Sequence, residues 1–182
     1  MIAMTVLVAF GVRNYAIQMF YIPSPSMEPT LCGGANSEPD TGCDGRNDRI
    51  LVNKVSYKLH DVERDDIVVF AKPPGLLDVN DKDLVKRVVG IPGDVVNYEN
   101  NELYVNGEKQ NEPFVRALCR DRSQQGTNGP VTVPQGQVFV MGDNRCNSHD
   151  SRFADIGTIP VSSIVGKVFM IAWPVARVGL VS

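Results

Sequence analysis

The sequence predicts a mainly β domain, in which antiparallel strands form a coiled or half-closed, barrel-like fold. Three observations support this prediction. Short segments rich in β-branched residues recur along the chain, turn-forming residues separate them, and helical periodicity is weak beyond residue 20. The chain has 182 residues, which is enough for one ordinary domain with its own core.

Seven segments are predicted to be strands, and each is bounded by Gly, Pro, Asp or Asn. Asn100-Asn101 and Asn106-Gly107 supply two of the turns between them. In chain order, the predicted strands are Arg49–Lys54, Ile67–Ala71, Leu84–Val89, Val95–Tyr98, Glu102–Val105, Gln137–Met141 and Ile164–Trp173.

The N-terminus differs in composition from the rest of the chain, because Met1 to Val12 is uncharged and almost wholly apolar. A helix needs about 20 apolar residues to cross a bilayer, so this run is too short to span. Three interpretations are open: a cleavable signal peptide, a buried core helix, or the outer half of a truncated membrane helix. The run lacks a basic start and an A-x-A site, which argues against the first. We favour a membrane segment over residues 1–19, followed by a folded domain over residues 20–182.

Two polar stretches interrupt the strand pattern. The stretch from Cys32 to Asp48 is predicted to be a surface loop. Residues 99–134, which contain the polar run 111–129, are predicted to be a peripheral insertion that forms a small subdomain.

Composition argues against two classes of function. The net charge is −3 and there is no long basic run, so a nucleic-acid partner is not expected. The cysteines have no C-x-x-C spacing and there are only two histidines, so a metal site is not expected. We expect no organic cofactor either.

The four cysteines are widely spaced, which fits an oxidising compartment better than the cytosol. Cys32 and Cys43 bracket a flexible loop, and we predict a disulfide between them. By elimination, Cys119 is then predicted to pair with Cys146. Free thiols are the alternative, because an unpaired cysteine often serves as a small buried side chain.

Three segments carry candidate chemistry. In Phe20–Leu31 (FYIPSPSMEPTL), prolines hold an extended chain on which Ser24 and Ser26 point the same way; alone, the segment is equally consistent with a rigid linker. In Leu84–Asp94 (LVKRVVGIPGD), Lys86 and Arg87 point to opposite faces of a strand, so one of them faces the more buried side, although an ordinary edge-strand lysine is the alternative.

The third segment, Met141–Arg152 (MGDNRCNSHDSR), follows a strong strand and has an unusual density of charge. Polar loops after strands are mostly solvated turns. The density of Asp and Arg here indicates instead a scaffold of ion pairs around a site, because isolated surface pairs contribute little.

Together and in this order, these segments resemble bacterial type I signal peptidases, and the similarity extends from residue 20 to about residue 174. The motifs that carry it are S-x-S-M-x-P-T-L at Ser24–Leu31, D-R-I-L-V-N-K at Asp48–Lys54, D-I-V-V-F at Asp66–Phe70, V-K-R-V-V-G-I-P-G-D at Val85–Asp94, G-D-N-R-x-N-S-x-D-S-R at Gly142–Arg152 and I-V-G-K-V at Ile164–Val168.

The resemblance implies a peptidase domain over residues 20–182 in which Ser26 is the nucleophile and Lys86 is the general base. Ser148 matches the hydroxyl that orients the lysine, and Ser24, with the backbone N–H of Ser26, matches the oxyanion hole. The remaining matched positions are the shallow substrate pockets at Ile22, Met27, Leu31, Leu84 and Val85, and the supporting ion pairs Arg87 with Asp143 and Asp150 with Arg152.

Three positions depart from the family pattern. Pro25 stands where a small residue is frequent, Asp65 where glycine is usual, and Cys146 where aspartate is usual. None of them is the proposed nucleophile or base. Pro25 is expected to affect the movement of the loop around Ser26, and Cys146 the loop that carries Ser148.

A serine needs a base to become a nucleophile, and histidine is the usual one. His60 lacks an acidic context, and His149 adjoins Ser148 in sequence, where side chains diverge. There is no G-x-S-x-G or S-x-x-K motif. Lysine is therefore the favoured base, and apolar neighbours such as Val88 and Ile91 are expected to lower its pKa.

The resemblance further implies a single-pass protein of the plasma membrane with its catalytic domain on the extracytoplasmic side. Its partners would be membrane lipid and preproteins whose signal peptides carry small residues before the cleavage site. Two alternatives stay open. A self-cleaving repressor of similar fold is disfavoured because no DNA-binding region is present, and an inactive, membrane-tethered β domain would bind peptides without cutting them.

Overall fold

The computed structural model describes residues 16–34, 41–74, 82–115 and 129–181. These residues form two antiparallel sheets with a few short helical turns. The strands are β1 (Ile17–Tyr21), β2 (Arg49–Asn53), β3 (Ile67–Ala71), β4 (Asp83–Gly90), β5 (Val95–Glu99), β6 (Glu102–Val105), β7 (Glu108–Lys109), β8 (Val131–Thr132), β9 (Gln137–Met141), β10 (Ile159–Pro160), β11 (Ile164–Trp173) and β12 (Gly179–Leu180).

The helical turns are short. Within the described ranges, an α-helical turn spans Ser56–Leu59, and 3₁₀ turns span Pro25–Met27, Arg145–Asn147, Val161–Ser163 and Val175–Arg177. The prediction of a mainly β, antiparallel fold is therefore confirmed for the part of the chain that the structure describes.

The large sheet has eight strands in the order β1-β2-β11-β3-β4-β9-β10, with β12 added to β11. The small sheet has the order β7-β6-β5-β8. The small sheet therefore begins at Val95, before the boundary at residue 99 that we predict for the insertion. Strand β1 begins at Ile17, so the large sheet also starts before residue 20.

Side chains on β3 alternate between two hydrophobic clusters, one on each face of the large sheet. All of Ile67–Phe70 is buried, with Ile67 and Val69 in one hydrophobic cluster and Val68 and Phe70 in another. A strand covered on both faces needs apolar residues at every position, and this is the pattern of β3. A third cluster packs the small sheet against β4 and β9, through residues that include Val89, Val96 and Phe139.

The predicted N-terminal membrane segment cannot be compared in full, since residues 1–15 lie outside the described residues. Within residues 16–34, 41–74, 82–115 and 129–181, no helix has the length and apolarity needed to cross a bilayer.

Candidate active site

The proline-rich loop, which we define as residues 22–32, carries Ser26 within the turn Pro25–Met27. Pro25 opens this turn at a position where no backbone N–H is required and where its fixed φ fits. Ser26 and Met27 are buried, whereas Ser24 is exposed. The turn thus places Ser26 in the lining of a cleft in the protein surface.

Lys86 projects from β4 toward this turn. Its Nζ donates a hydrogen bond to Ser26 Oγ over 2.7 Å, and the residue is only 4% exposed. Burial lowers the pKa of Lys86 from 10.5 to about 8, although Asp150 and Asp143 oppose the shift. The structure therefore brings together the two predicted dyad residues, with the lysine in surroundings that favour its neutral form.

Ser24 lies beside the same pair, since its Oγ is 3.3 Å from Ser26 Oγ. Only Ser24 is extended, with φ −124° and ψ 153°, whereas Ser26 lies in the 3₁₀ turn Pro25–Met27. The two hydroxyls therefore meet because the chain turns after Ser24, and not through the fully extended chain that the sequence predicts. A hydroxyl in this position has a proton to donate toward the site where an oxyanion would form.

The loop after β9 fixes the backbone of the proline-rich loop. The backbone N–H of Asn144 donates to the Ser26 carbonyl and its side-chain amide donates to the Pro25 carbonyl, each over 3.1 Å. Thr30 Oγ1 donates to Asp143 Oδ2 over 2.5 Å. The Ser26 turn is thus held by neighbouring residues of one loop.

Arg87 and Asp143 form a buried, two-pronged ion pair, with Nε–Oδ1 and Nη2–Oδ2 distances of 2.9 and 2.8 Å. Arg87 also stacks over the Phe114 ring and donates to the Asp65 carbonyl. Asp65 has a φ of 69°, a left-handed conformation that explains why glycine suits this position and why aspartate is tolerated there.

Asp150 and Arg152 form a second buried pair, with a distance of 2.8 Å from Nε to Oδ1. Burial alone would raise the pKa of Asp150. The positive charge of Arg152 and the hydrogen bonds that the Asp150 carboxylate accepts hold this pKa below its usual value. Ser148 Oγ is one of the donors, over 2.7 Å. Among the described residues, the Ser148 hydroxyl therefore bonds Asp150, while Lys86 Nζ bonds Ser26, and the predicted role of Ser148 in orienting the lysine stays a prediction.

Gly142 connects these groups, and the sequence analysis assigned it no role. A Cβ at this position would lie 2.4 Å from the Ser26 carbonyl oxygen and 2.3 Å from Ser148 Oγ. Only a residue without a side chain fits such a contact. The missing side chain therefore allows Ser148 to lie close to the Ser26 turn.

A further buried ion pair was also missed: Arg145 with Glu112, held by two hydrogen bonds. Glu112 lies in the stretch that we predicted to be peripheral, yet it is buried. The two residues are 33 positions apart, so no local sequence pattern indicates that they meet.

The cleft above Ser26 has a volume of about 50 Å³. Four of the five predicted pocket residues line it, namely Ile22, Met27, Leu84 and Val85. The fifth, Leu31, is fully buried in the core cluster that also contains Met27, and it does not line the cleft. Leu31 is therefore a core residue that shares a cluster with the cleft residue Met27.

The remaining candidates lie elsewhere. His149 is exposed, stacks on Phe153 and pairs with Asp155. The predicted disulfide between Cys32 and Cys43 is present, with a Cα–Cα distance of 5.5 Å. Cys119 lies outside the described residues, so its pairing with Cys146 stays a prediction.

Comparison with known proteins identifies the family. Residues 1–173 match the family described as signal peptidase, peptidase S26. The probable signal peptidase I-2 of Synechocystis is 39% identical over 178 residues, which are 97% of this chain and 72% of that protein. Signal peptidase I of Bacillus caldolyticus is 36% identical over 179 residues, 93% of this chain and 86% of that protein.

Among solved structures, a signal peptidase I from Enterococcus faecalis is similar at 32% identity and a TM-score of 0.48, over 59% of this chain and 97% of that chain. The family match over nearly the whole sequence, together with the two relatives, shows that this chain belongs to the signal peptidase family, peptidase S26.

Proposed function

We propose that this chain is a membrane-anchored serine endopeptidase that removes N-terminal signal peptides from exported preproteins, with Ser26 as nucleophile and Lys86 as general base. The observation that carries the proposal is the buried 2.7 Å hydrogen bond from Lys86 Nζ to Ser26 Oγ. Membership of the signal peptidase family supplies the reaction class.

The reaction is acyl transfer to Ser26, followed by hydrolysis. Neutral Lys86 removes the hydroxyl proton as Ser26 Oγ attacks the scissile carbonyl carbon. The resulting ammonium then gives this proton to the leaving amine as the peptide bond breaks. Lys86 next takes a proton from water, the hydroxide attacks the acyl ester, and the ammonium returns the proton to Ser26 Oγ as the new carboxylic acid leaves.

A lysine base must be neutral part of the time. At a pKa of about 8, roughly one molecule in ten is neutral at pH 7, compared with about four in 10,000 for an unperturbed lysine. The shift therefore raises the active fraction by more than two orders of magnitude. The lowered pKa is supported by the burial of Lys86 on β4, where residues such as Val88 belong to a hydrophobic cluster.

The oxyanion that forms during attack needs donors. We assign this role to the Ser24 hydroxyl and the backbone N–H of Ser26. The 3.3 Å contact between the two serine Oγ atoms supports the first assignment. Donors of this kind act mainly in the transition state, where the negative charge develops.

Ser148 is assigned to the orientation of Lys86. Support comes from its burial and from Gly142, which brings the Ser148 side chain next to the Ser26 turn. Its hydrogen bond to Asp150, itself paired with Arg152, fixes the direction of the hydroxyl. The two buried ion pairs then act as a rigid frame for the loop around the dyad.

The substrates are signal peptides with small side chains before the scissile bond. A cleft of about 50 Å³, lined by Ile22, Met27, Leu84 and Val85, favours a methyl group over a large side chain. Leu31 contributes as part of the core cluster that also contains Met27.

Contact with the membrane on the extracytoplasmic side of the plasma membrane is supported by the surface near the cleft. Tyr21 and Trp173 both pair with Arg49 across adjacent strands and are exposed. Val175 and Leu180, from the same C-terminal segment, are exposed as well. Together with the apolar run 1–12, which belongs to the segment 1–19 that we assign to a single-pass anchor, they suit an interface of lipid and water.

The test is cleavage of a preprotein with an A-x-A site by this chain and by Ser26→Ala, in detergent. Wild type should release the mature protein, and Ser26→Ala should not, while both have the same melting temperature. A serine-directed acylating reagent should label only the wild type. Binding of the signal peptide without cleavage by either protein would favour the peptide-binding β domain instead.

A further inference from the structure

Arg177 lies in the turn Val175–Arg177, beyond the residues that match the family. Its guanidinium reaches back to the proline-rich loop. Nη2 donates to the carbonyls of Pro29 and Thr30 over 3.3 and 3.0 Å, and Nε and Nη2 donate to the Asp48 carboxylate over 3.1 Å each. One side chain thus contacts two backbone carbonyls and a buried charge at once.

Asp48 ties both ends of the proline-rich loop. Its carbonyl accepts from the N–H of Ile22 over 3.0 Å, and its N–H donates to the Cys32 carbonyl over 2.8 Å. Its carboxylate also accepts from the N–H of Cys32 over 2.8 Å. The first and last residues of the loop are therefore fastened to Asp48, and Arg177 fastens the part between them.

Thr30 is held from two directions. Its carbonyl accepts from Arg177, and its hydroxyl donates to Asp143 in the loop after β9. The next residue, Leu31, donates its N–H to the Met27 carbonyl in the Ser26 turn over 2.9 Å, so a shift of the Thr30 backbone is expected to reach Ser26. The hydrogen bond from Thr30 to Asp143 belongs to the site already described, whereas the hydrogen bond from Arg177 to Thr30 does not.

Lysine would not reproduce the Arg177 contacts. The planar guanidinium offers several donors in a fixed arrangement, whereas an ammonium is a single point of charge. The Asp48 carboxylate is fully buried and the Arg177 side chain is 23% exposed, so loss of the arginine leaves a buried charge without this partner.

We propose that Arg177 is a positioning residue, which holds the proline-rich loop so that Ser26 Oγ stays within reach of Lys86. This inference rests on the proposed function of the dyad. Arg177 touches no reacting atom and contacts the loop at Pro29 and Thr30, while the pocket residue Ile22 keeps its hydrogen bond to the Asp48 carbonyl. Its removal is therefore expected to lower the rate of acylation much more than it weakens substrate binding. A displacement of about 1 Å at a reacting group costs as much as 100-fold in rate.

The experiment compares Arg177→Gln with Arg64→Gln as a matched control. Arg64 also pairs, through a partly exposed guanidinium, with a buried carboxylate, that of Asp94, but it has no contact with the proline-rich loop. Preprotein cleavage is measured at a temperature at which all variants are folded. We expect kcat to fall about 10–100-fold in Arg177→Gln, with KM within twofold of wild type, and to stay within twofold in Arg64→Gln.

Two further variants separate position from stability. Arg177→Lys should recover part of kcat, because it restores the charge but not the fixed donors. Asp48→Asn combined with Arg177→Gln removes the unpaired buried charge, so it should recover melting temperature without recovering kcat. The proposal is overturned if Arg177→Gln keeps its kcat, if its loss appears in KM, or if Arg64→Gln loses kcat equally.

The same variants distinguish failure of this inference from failure of the proposed function. If wild type does not cleave preproteins, the dyad assignment fails. Amide hydrogen exchange then tests the inference independently. Faster exchange in residues 26–32 of Arg177→Gln, relative to Arg64→Gln, supports the positioning role, and equal exchange rules it out.

Discussion

Lys86 Nζ and Ser26 Oγ lie 2.7 Å apart, although the two residues are 60 positions apart in the sequence. The serine comes from a turn held in place by Asn144, and the lysine comes from the middle of β4. The two residues lie in different elements, which meet only because the turn Pro25–Met27 packs against β4. Their meeting therefore reports on the packing of the whole sheet, which makes the pair sensitive to changes in several distant contacts.

Substitution of Lys86 should separate activity from stability. Lys86→Met fills a similar volume but carries no proton, so cleavage is expected to cease. The folded-state pKa of about 8 lies below the unfolded value of 10.5, so the protonated lysine destabilises the fold below pH 8. Lys86→Met should therefore raise the free energy of unfolding near pH 6 by roughly 3 kcal/mol at most.

Lys86→Arg should be inactive and less stable than wild type, because guanidinium keeps its charge. Urea unfolding and preprotein cleavage measure the two effects.

The pH dependence of cleavage should follow the protonation of Lys86. Because the neutral amine is the base, kcat/KM is expected to rise about tenfold per pH unit below pH 8 and to level off above it. His149→Gln is the control, since its exposed side chain pairs with Asp155 away from the dyad. The lysine mechanism would be contradicted if the fall of kcat/KM below pH 8 disappeared in His149→Gln. It would also be contradicted if kcat/KM of the wild type did not change between pH 6 and 8.

Ser24→Ala tests the oxyanion donor. Its hydroxyl is 3.3 Å from Ser26 Oγ, so the loss is expected to act on the transition state. We predict a fall in kcat of roughly 10²–10³-fold with little change in KM. Ser162→Ala, another exposed serine, serves as control. A rise in KM at constant kcat would instead make Ser24 a contact of the bound substrate.

The strands were the most predictable part of the fold. Period-two alternation and turn residues are local properties, and β3, β6, β9 and β11 have the predicted bounds. Strand β1 was not predicted, since its first three residues were assigned to the membrane segment 1–19 and the other two to the segment Phe20–Leu31, which its prolines predict to be a loop or linker. Four two-residue strands were missed too, because so short a pairing leaves no periodic signal.

Burial within the site was predicted only in part. Alternation on β4 indicates that Lys86 and Arg87 face opposite sides, and one buried residue was expected. Both are buried, because the second face of β4 is covered by Asp143 and Phe114. That cover comes from distant parts of the chain, and local sequence carries no information about it. The motif resemblance identified the dyad where the physical pattern alone did not.

The cysteine pairing can be decided by peptide mapping of non-reduced protein. A Cys32–Cys43 peptide is expected from the structure, and a Cys119–Cys146 peptide is predicted in addition. Replacing Cys32 and Cys43 with serine should lower stability by about 3 kcal/mol, given a sequence separation of 11, with cleavage largely kept. Loss of activity on reduction of that variant would point to the second bond. Four free thiols, or a Cys32–Cys146 link, would contradict the assignment.

Gly142→Ala should impair catalysis more than folding. The new methyl group would lie 2.4 Å from the Ser26 carbonyl oxygen and 2.3 Å from Ser148 Oγ, so one of them must move. The Ser26 carbonyl is fixed by the N–H of Asn144, and Ser148 by Asp150, so either shift disturbs the dyad. We expect kcat to fall by about 100-fold, as for other misplaced reacting groups.

The matched control for this substitution is Gly90→Ala. Its Cβ would lie 2.4 Å from a methyl of Val96 in the core beneath the small sheet, away from Ser26. Overpacking there costs about 1–3 kcal/mol but leaves the reacting groups in place, so kcat should stay close to wild type while the melting temperature falls. If both variants lose stability and neither loses kcat, Gly142 serves packing alone. A large kcat loss confined to Gly142→Ala would instead tie the missing side chain to the alignment of Ser26.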